Sequence, residues 1–142
     1  MFRELTGEVL VASQITADAV AEAARQGVML IINNRPEGES DDQTSGDEIE
    51  AAARVAGLDY VAIPVTHSGF SEPQVAAMAA ALDGAKGKVL AYCRSGTRST
   101  LLWSLAKVKG GGDPEDLTAI AAGAGYNLAP VRPLLDMLKA QA

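Results

Sequence analysis

Val89-Leu90-Ala91-Tyr92-Cys93-Arg94-Ser95-Gly96-Thr97-Arg98-Ser99 is the stretch that decides how this chain folds. Its first four residues are continuous and apolar, the pattern of a strand buried on both faces of a sheet. From Ser99 to Lys109, Leu101, Leu102, Leu105 and Val108 recur at helical spacing, and Gly110-Gly111-Gly112 stops the run. A buried strand therefore passes into a helix through a short loop that begins at a cysteine.

Similar units extend outward on both sides. Gly7 to Ala12 predicts a strand, Ser13 to Gln26 a helix stopped by Gly27, and Val28 to Ile32 a central strand. Asn33 to Gly46 is polar and acidic and holds Pro36, Gly38 and Gly46, which predicts a long exposed loop. Ser45 followed by Glu48 resembles a capping box and opens a helix over Asp47 to Ala56, with Gly57 as its stop. Tyr60 to Val65 predicts another strand with Pro64 near its end, and the loop Thr66 to Phe70 follows. Ser71 caps a third helix that has Pro73 in its first turn and runs to Leu82. Asp113-Pro114 opens a helix to Ala122, and Pro130 to Gln141 forms the last helix, with Leu134, Leu135 and Leu138 inward. This alternation predicts the α/β class, a central parallel-rich sheet flanked by helices, as one domain over residues 1–142.

With 142 residues, 48% hydrophobic and 21% charged, the chain can build one core. Twelve basic against eighteen acidic side chains leave a net charge of −6, which argues against nucleic acid or an anionic membrane as partner. An anion site has to be a local exception to that charge. No apolar run is long enough to span a bilayer, and Met1 to Val20 has no leader pattern, so a cytoplasmic location is expected. The single cysteine cannot form an internal disulfide and lacks the partners of a zinc site. Glu37 to Asp42 reads as a solvated acidic face without the ligand spacing of a calcium loop, and no glycine-rich nucleotide fingerprint appears. No metal and no cofactor are expected, and the oligomeric state is not legible.

In a parallel sheet, ligands bind beyond the carboxyl ends of the strands, where Cys93 to Arg98 falls. The unpaired N–H groups of the following helix and its positive end face the loop, so Arg94, Ser95, Gly96, Thr97 and Arg98 form a candidate anion site. Gly96 permits the tight turn, and Arg98 can present two parallel N–H donors to an oxyanion. The same field and the flanking Arg94 and Arg98 favour a thiolate at Cys93 at neutral pH. An inert, buried cysteine is the competing reading. Ser99 is a candidate hydroxyl donor to that thiolate, or the N-cap of the helix, or both. His67, the only histidine, ends what is read as the neighbouring strand and is a candidate general acid, against the alternative of a solvated loop residue. Asn33, Asn34 and Arg35 end the other central strand and either line the rim of the pocket or brace its loop. Trp103 and Tyr126 read as core or rim aromatics.

Ile15-Thr16, Ile31 to Pro36, Tyr60 to Val65 and Ala91 to Ser99 together resemble one bacterial family, the beta-lactamase hydrolase-like protein phosphatase domain, also catalogued as a candidate sulfur transferase. The resemblance runs from about Gly7 to Leu138. It implies a fold similar to dual-specificity protein phosphatases, with Cys93 in the nucleophile's place, Arg98 in that of the oxyanion-binding arginine and Ser99 in that of the following hydroxyl. His67 stands where those phosphatases carry their acid, normally an aspartate.

A second departure is in the loop, since tyrosine phosphatases place five residues between cysteine and arginine and this chain places four. In that respect Cys93 to Ser99 resembles the loop of rhodanese sulfurtransferases, and some relatives join the domain to a metallo-hydrolase associated with sulfide oxidation. The expected function is a cysteine-dependent phosphatase-like hydrolase acting on a phosphorylated small anion or a phosphoprotein. The alternatives are a sulfurtransferase carrying a Cys93 persulfide, with a sulfur-containing anionic substrate, and a non-catalytic anion-binding module.

Overall fold

The computed structural model describes residues 2–141. Its strands are β1 (Arg3–Glu4), β2 (Val9–Ala12), β3 (Val28–Asn33), β4 (Asp59–Ala62) and β5 (Lys88–Tyr92). The α-helices are α1 (Ala17–Arg25), α2 (Gly46–Val55), α3 (Glu72–Gly84), α4 (Thr97–Lys109), α5 (Pro114–Gly123) and α6 (Arg132–Gln141), the last preceded by a 3-10 turn at Ala129–Val131. The strands form one sheet in the order β1-β2-β5-β3-β4, parallel throughout except for the antiparallel β1–β2 pair.

This order dictates where the helices go. The chain moves one way across the sheet from β2 through β3 to β4 and then returns to β5. Because parallel crossovers keep one hand, the outward helices and the returning helix lie on opposite faces. The two cores reflect this. Leu10, Ile31, Leu90 and Tyr92 pack with Val20, Ile49 and Ala53 of α1 and α2, whereas Val11, Ile32, Val89 and Ala91 pack with Met78 of α3, with α4 and with Leu135 of α6. Successive residues of β5 thus serve opposite faces, as the two-residue period of a strand requires.

Helix α4 is enclosed rather than amphipathic. Ser99 to Ala106 and Val108 are all buried, because α3, α5 and α6 surround the helix on the side away from the sheet. Other boundaries follow from caps. Thr16 accepts from Ala19 N and delays the start of α1 to Ala17, and Ser71 forms a reciprocal capping box with Gln74 at α3. The fourth strand stops at Ala62, short of the expected Val65: Ile63 and Val65 N–H still bond to Asn33 O and Asn34 O, but the Asn34 side chain, not a backbone N–H, donates to Ile63 O, so the regular ladder ends. The two-residue β1 is too short to show a period in the sequence.

Leu102 is fully buried in α4, so Leu102→Ala is expected to cost about 2–5 kcal/mol, read as a lower urea midpoint at unchanged slope. Val55, 91% exposed, is the control, and Val55→Lys should change stability by less than about 0.5 kcal/mol.

Candidate active site

Tyr92, the last residue of β5, is in register with Ala12 of β2 and Asn33 of β3. The segments that follow all three strands therefore meet at one edge of the sheet, and Cys93 lies at their centre. Its N–H donates to Ala12 O at 3.4 Å, and the residue has no solvent exposure. Gly96 bends the chain into α4 with φ 91° and ψ −12°, a left-handed conformation that glycine adopts without penalty. The Gly96 N–H then donates to Cys93 Sγ at 3.1 Å. Thr100 Oγ1 holds the outer side of the turn by donating to Gly96 O at 2.8 Å.

Helix α4 begins at Thr97 with Gly96 as its N-cap, which corrects the expectation that Ser99 could cap it. Ser99 lies inside the first turn, fully buried, and its Oγ has no hydrogen-bond partner among the described residues. Arg94, Ser95 and Thr97 are exposed at the loop's outer surface, where Ser95 Oγ accepts from Thr97 N at 3.4 Å.

Arg98 is held through its two Nη atoms. Nη1 and Nη2 donate to Glu39 Oε2 and Oε1 at 2.7 and 2.8 Å, and Nη1 also donates to Val65 O at 2.6 Å. A guanidinium has five N–H donors in a rigid fork. These bonds leave the Nε–H and one Nη2–H, which have no hydrogen-bond partner among the described residues, lie together on one edge and can grip an oxyanion bidentately.

Glu37, Asp41 and Asp42 are exposed, as expected of a solvated acidic face, and Glu39 is the exception. Its carboxylate is 16% exposed and takes a second guanidinium, Arg35 Nε, at 3.0 Å. Arg35 is itself buried, and it donates further to Gln14 Oε1 at 2.9 Å and Ser40 Oγ at 3.1 Å. Asn33, Asn34 and Arg35 make the internal hydrogen bonds that bracing requires. Asn33 Oδ1 accepts from Arg35 N, Asn33 Nδ2 donates to Tyr60 Oη, and Asn34 Nδ2 donates to Ile63 O, all three residues being buried. Gln14, Glu39 and Tyr126 were not marked as site residues by the sequence. Tyr126 Oη donates to Ser95 O at 3.3 Å, behind the loop.

His67 lies in the exposed turn after β4, and β4 is separated from β5 by β3. The strand before His67 is therefore not the neighbour of the strand before Cys93. Val65, two residues earlier, is the link between them, through its carbonyl on Arg98 and its N–H on Asn34 O at 3.0 Å. A groove of about 440 Å³ lies apart from the loop, lined by Phe70, Val75, Lys109, Leu134, Met137 and Leu138 among others. Among the described residues no helix is long and apolar enough to cross a membrane.

The Arg98 hydrogen bonds hold the Glu39 carboxyl at about 2, below its ordinary 4.5; burial opposes the shift and Arg35 adds to it. A carboxylate depressed in this way stabilises the fold fully above its unfolded value and loses that contribution as pH falls through the folded value. The stability difference between wild type and Glu39→Gln should therefore be constant above about pH 5 and shrink between pH 4.5 and 2, measured by urea unfolding across that range.

Comparison with known proteins agrees with this architecture. Residues 1–110 match the family model described as beta-lactamase hydrolase-like protein, phosphatase-like domain. The beta-lactamase hydrolase-like protein of Xylella fastidiosa is 34% identical over 126 residues, which is 88% of this chain and 29% of that protein. The chain thus spans less than a third of that relative's length. A crystal structure described as a candidate phosphatase from Neisseria meningitidis superposes with a TM-score of 0.84 at 30% identity, covering 96% of each chain. P. aeruginosa TpbA, solved in complex with phosphotyrosine, shares the fold at a TM-score of 0.69 and 15% identity, over 99% of this chain and 88% of its own. The sheet and its helices are those of the cysteine-phosphatase fold, and the chain belongs to the beta-lactamase hydrolase-like protein, phosphatase-like domain family.

Proposed function

We propose that the protein is a cysteine-dependent phosphatase-like hydrolase of phosphate monoesters. The observation that carries this reading is the convergence at the end of β5, where Sγ receives the Gly96 N–H while Arg98, clamped by Glu39, keeps its Nε/Nη2 edge free. The fold shared with proteins described as phosphatases supports the same reading.

Cys93 Sγ attacks phosphorus, an S–P bond forms and the bond to the leaving oxygen breaks. Negative charge on the phosphoryl oxygens is met by the free edge of Arg98 and by the first amides of α4. The leaving oxygen takes a proton, for which His67 is the candidate donor. Water then attacks phosphorus, the S–P bond breaks, and inorganic phosphate leaves with the thiolate restored. Ser99, in the first turn of α4 with a hydroxyl that has no partner among the described residues, is the candidate donor to the departing thiolate.

A second reading rests on the span of four residues between Cys93 and Arg98. In a sulfurtransferase, Cys93 takes the outer sulfur of thiosulfate, sulfite leaves, and the resulting persulfide passes its sulfur to cyanide.

With p-nitrophenyl phosphate, Cys93→Ser should lower kcat by at least about 10³-fold, and Arg98→Lys by about 10²–10³-fold through loss of the bidentate edge. Phosphate release that persists in Cys93→Ser would overturn the mechanism. Thiosulfate-to-cyanide transfer that depends on Cys93, without phosphate release, would favour the second reading. If His67 is the acid, His67→Ala should slow phenyl phosphate more than p-nitrophenyl phosphate, because the poorer leaving group needs the proton; equal slowing of both removes that role.

A further inference from the structure

Behind the loop, on the side away from Cys93 Sγ, the hydroxyl of Tyr126 donates to the carbonyl of Ser95 at 3.3 Å. The carbonyl of Ser95 and the N–H of Gly96 belong to one peptide group, and in a planar trans peptide they point in opposite directions. The group is therefore held from both sides, by Tyr126 at its oxygen and by Sγ at its hydrogen, 3.1 Å from Gly96 N.

This is the peptide of the loop that most needs holding. Rotating it changes ψ of Ser95 and φ of Gly96, and glycine accepts either sign of φ at little cost. A flipped peptide presents a carbonyl oxygen to Sγ, where a negative dipole end meets the anion instead of a positive one. Tyr126 also fixes the choice of residue at 96. A Cβ there would run into Tyr126 Oη, so the position is constrained by space as well as by its φ of 91°.

Tyr126 is itself seated from the other end of the chain. Arg3 Nη1 donates to Ala124 O at 2.8 Å, and its guanidinium carbon lies 5.3 Å from the centre of the Tyr126 ring. The space a Cβ at Gly125 would need is filled by Arg3 Nη1, so the turn before Tyr126 closes directly on this side chain. Burial raises the phenol above its ordinary range, with Arg3 opposing and Cys93 adding, so the hydroxyl keeps its proton and remains a donor at neutral pH.

We infer that Tyr126 is a positioning residue which, seated by Arg3, fixes the Ser95–Gly96 peptide with its N–H aimed at the Cys93 sulfur. The inference rests on Cys93 being the reacting group, but not on whether phosphorus or sulfur is transferred. Accepting a hydrogen bond at the carbonyl also polarises the amide and strengthens its N–H as a donor.

The test is Tyr126→Phe, which keeps the ring and its stacking on Arg3 and removes only the hydroxyl. The pH dependence of Cys93 alkylation by iodoacetamide is followed by mass spectrometry, alongside thermal unfolding and p-nitrophenyl phosphate kinetics. The expected result is a midpoint of alkylation moved upward, with unchanged thermal unfolding, because the peptide that donates to the sulfur is no longer held at its oxygen. Arg3→Gln should move the midpoint in the same direction by a smaller amount. Superimposable alkylation profiles for wild type and Tyr126→Phe would overturn the inference. A shifted profile in a protein that releases no phosphate would uphold the inference while removing the phosphatase reading. In an active protein, kcat should fall about tenfold at neutral pH with KM little changed, whereas a rise in KM alone would place Tyr126 in substrate contact and contradict a purely positioning role.

Discussion

Between Tyr92 and Thr97 the chain must leave a strand buried in the middle of the sheet and enter a helix enclosed on every side. Only the left-handed φ of Gly96 lets it do so in so few residues. The sharpness of that turn brings the Gly96 N–H onto the Cys93 sulfur and sets Arg98 in the first turn of the helix. The two hydrophobic cores enforce the arrangement, since β5 contributes to both and α4 cannot shift without disturbing α3 and α6.

Charge at the site is arranged around one carboxylate. Glu39 lies between the guanidiniums of Arg98 and Arg35, which are 14% and 4% exposed. Two cations and one anion leave a local charge of +1 in a chain whose net charge is −6. The carboxylate also keeps two neighbouring guanidiniums from repelling one another in a poorly solvated place, where removal of one partner leaves buried charge uncompensated. The loop from Pro36 to Ser45 is therefore long because it must carry Glu39 across the edge of the sheet to Arg98. It is tied down on the way by Gln43 Nε2 on Pro36 O and by Glu37 Oε1 on Gly46 N.

Much of this was legible in the residues. The apolar runs at Val28 to Ile32 and Val89 to Tyr92, the glycine stops and the proline-marked helix starts place the parallel strands and their helices, because local preference and tertiary burial agree there. The loop from Cys93 to Arg98 stood out because cysteine, glycine and arginine coincide at a strand-to-helix junction. The rest depends on contacts distant in sequence. Glu39 is one of several acidic residues in a polar loop, and nothing local separates it from Glu37 or Asp42. The pairing of Tyr126 with Ser95 spans 31 residues, and that of Arg3 with Ala124 spans 121. The order of strands placed β3 between His67's strand and that of Cys93, a matter of topology that strand patterns do not encode.

The central claim is that the Cys93 sulfur forms a covalent bond to phosphorus in the cradle made by Gly96, Arg98 and the start of α4. Rapid acid quenching of the protein mixed with an aryl phosphate, followed by peptide mass spectrometry, measures that bond directly. The account predicts a single phosphate on the peptide containing Cys93, formed before steady-state release of inorganic phosphate. Steady turnover with Cys93 unmodified at every quench time, or an added sulfur and no phosphate after exposure to thiosulfate and aryl phosphate together, would contradict it.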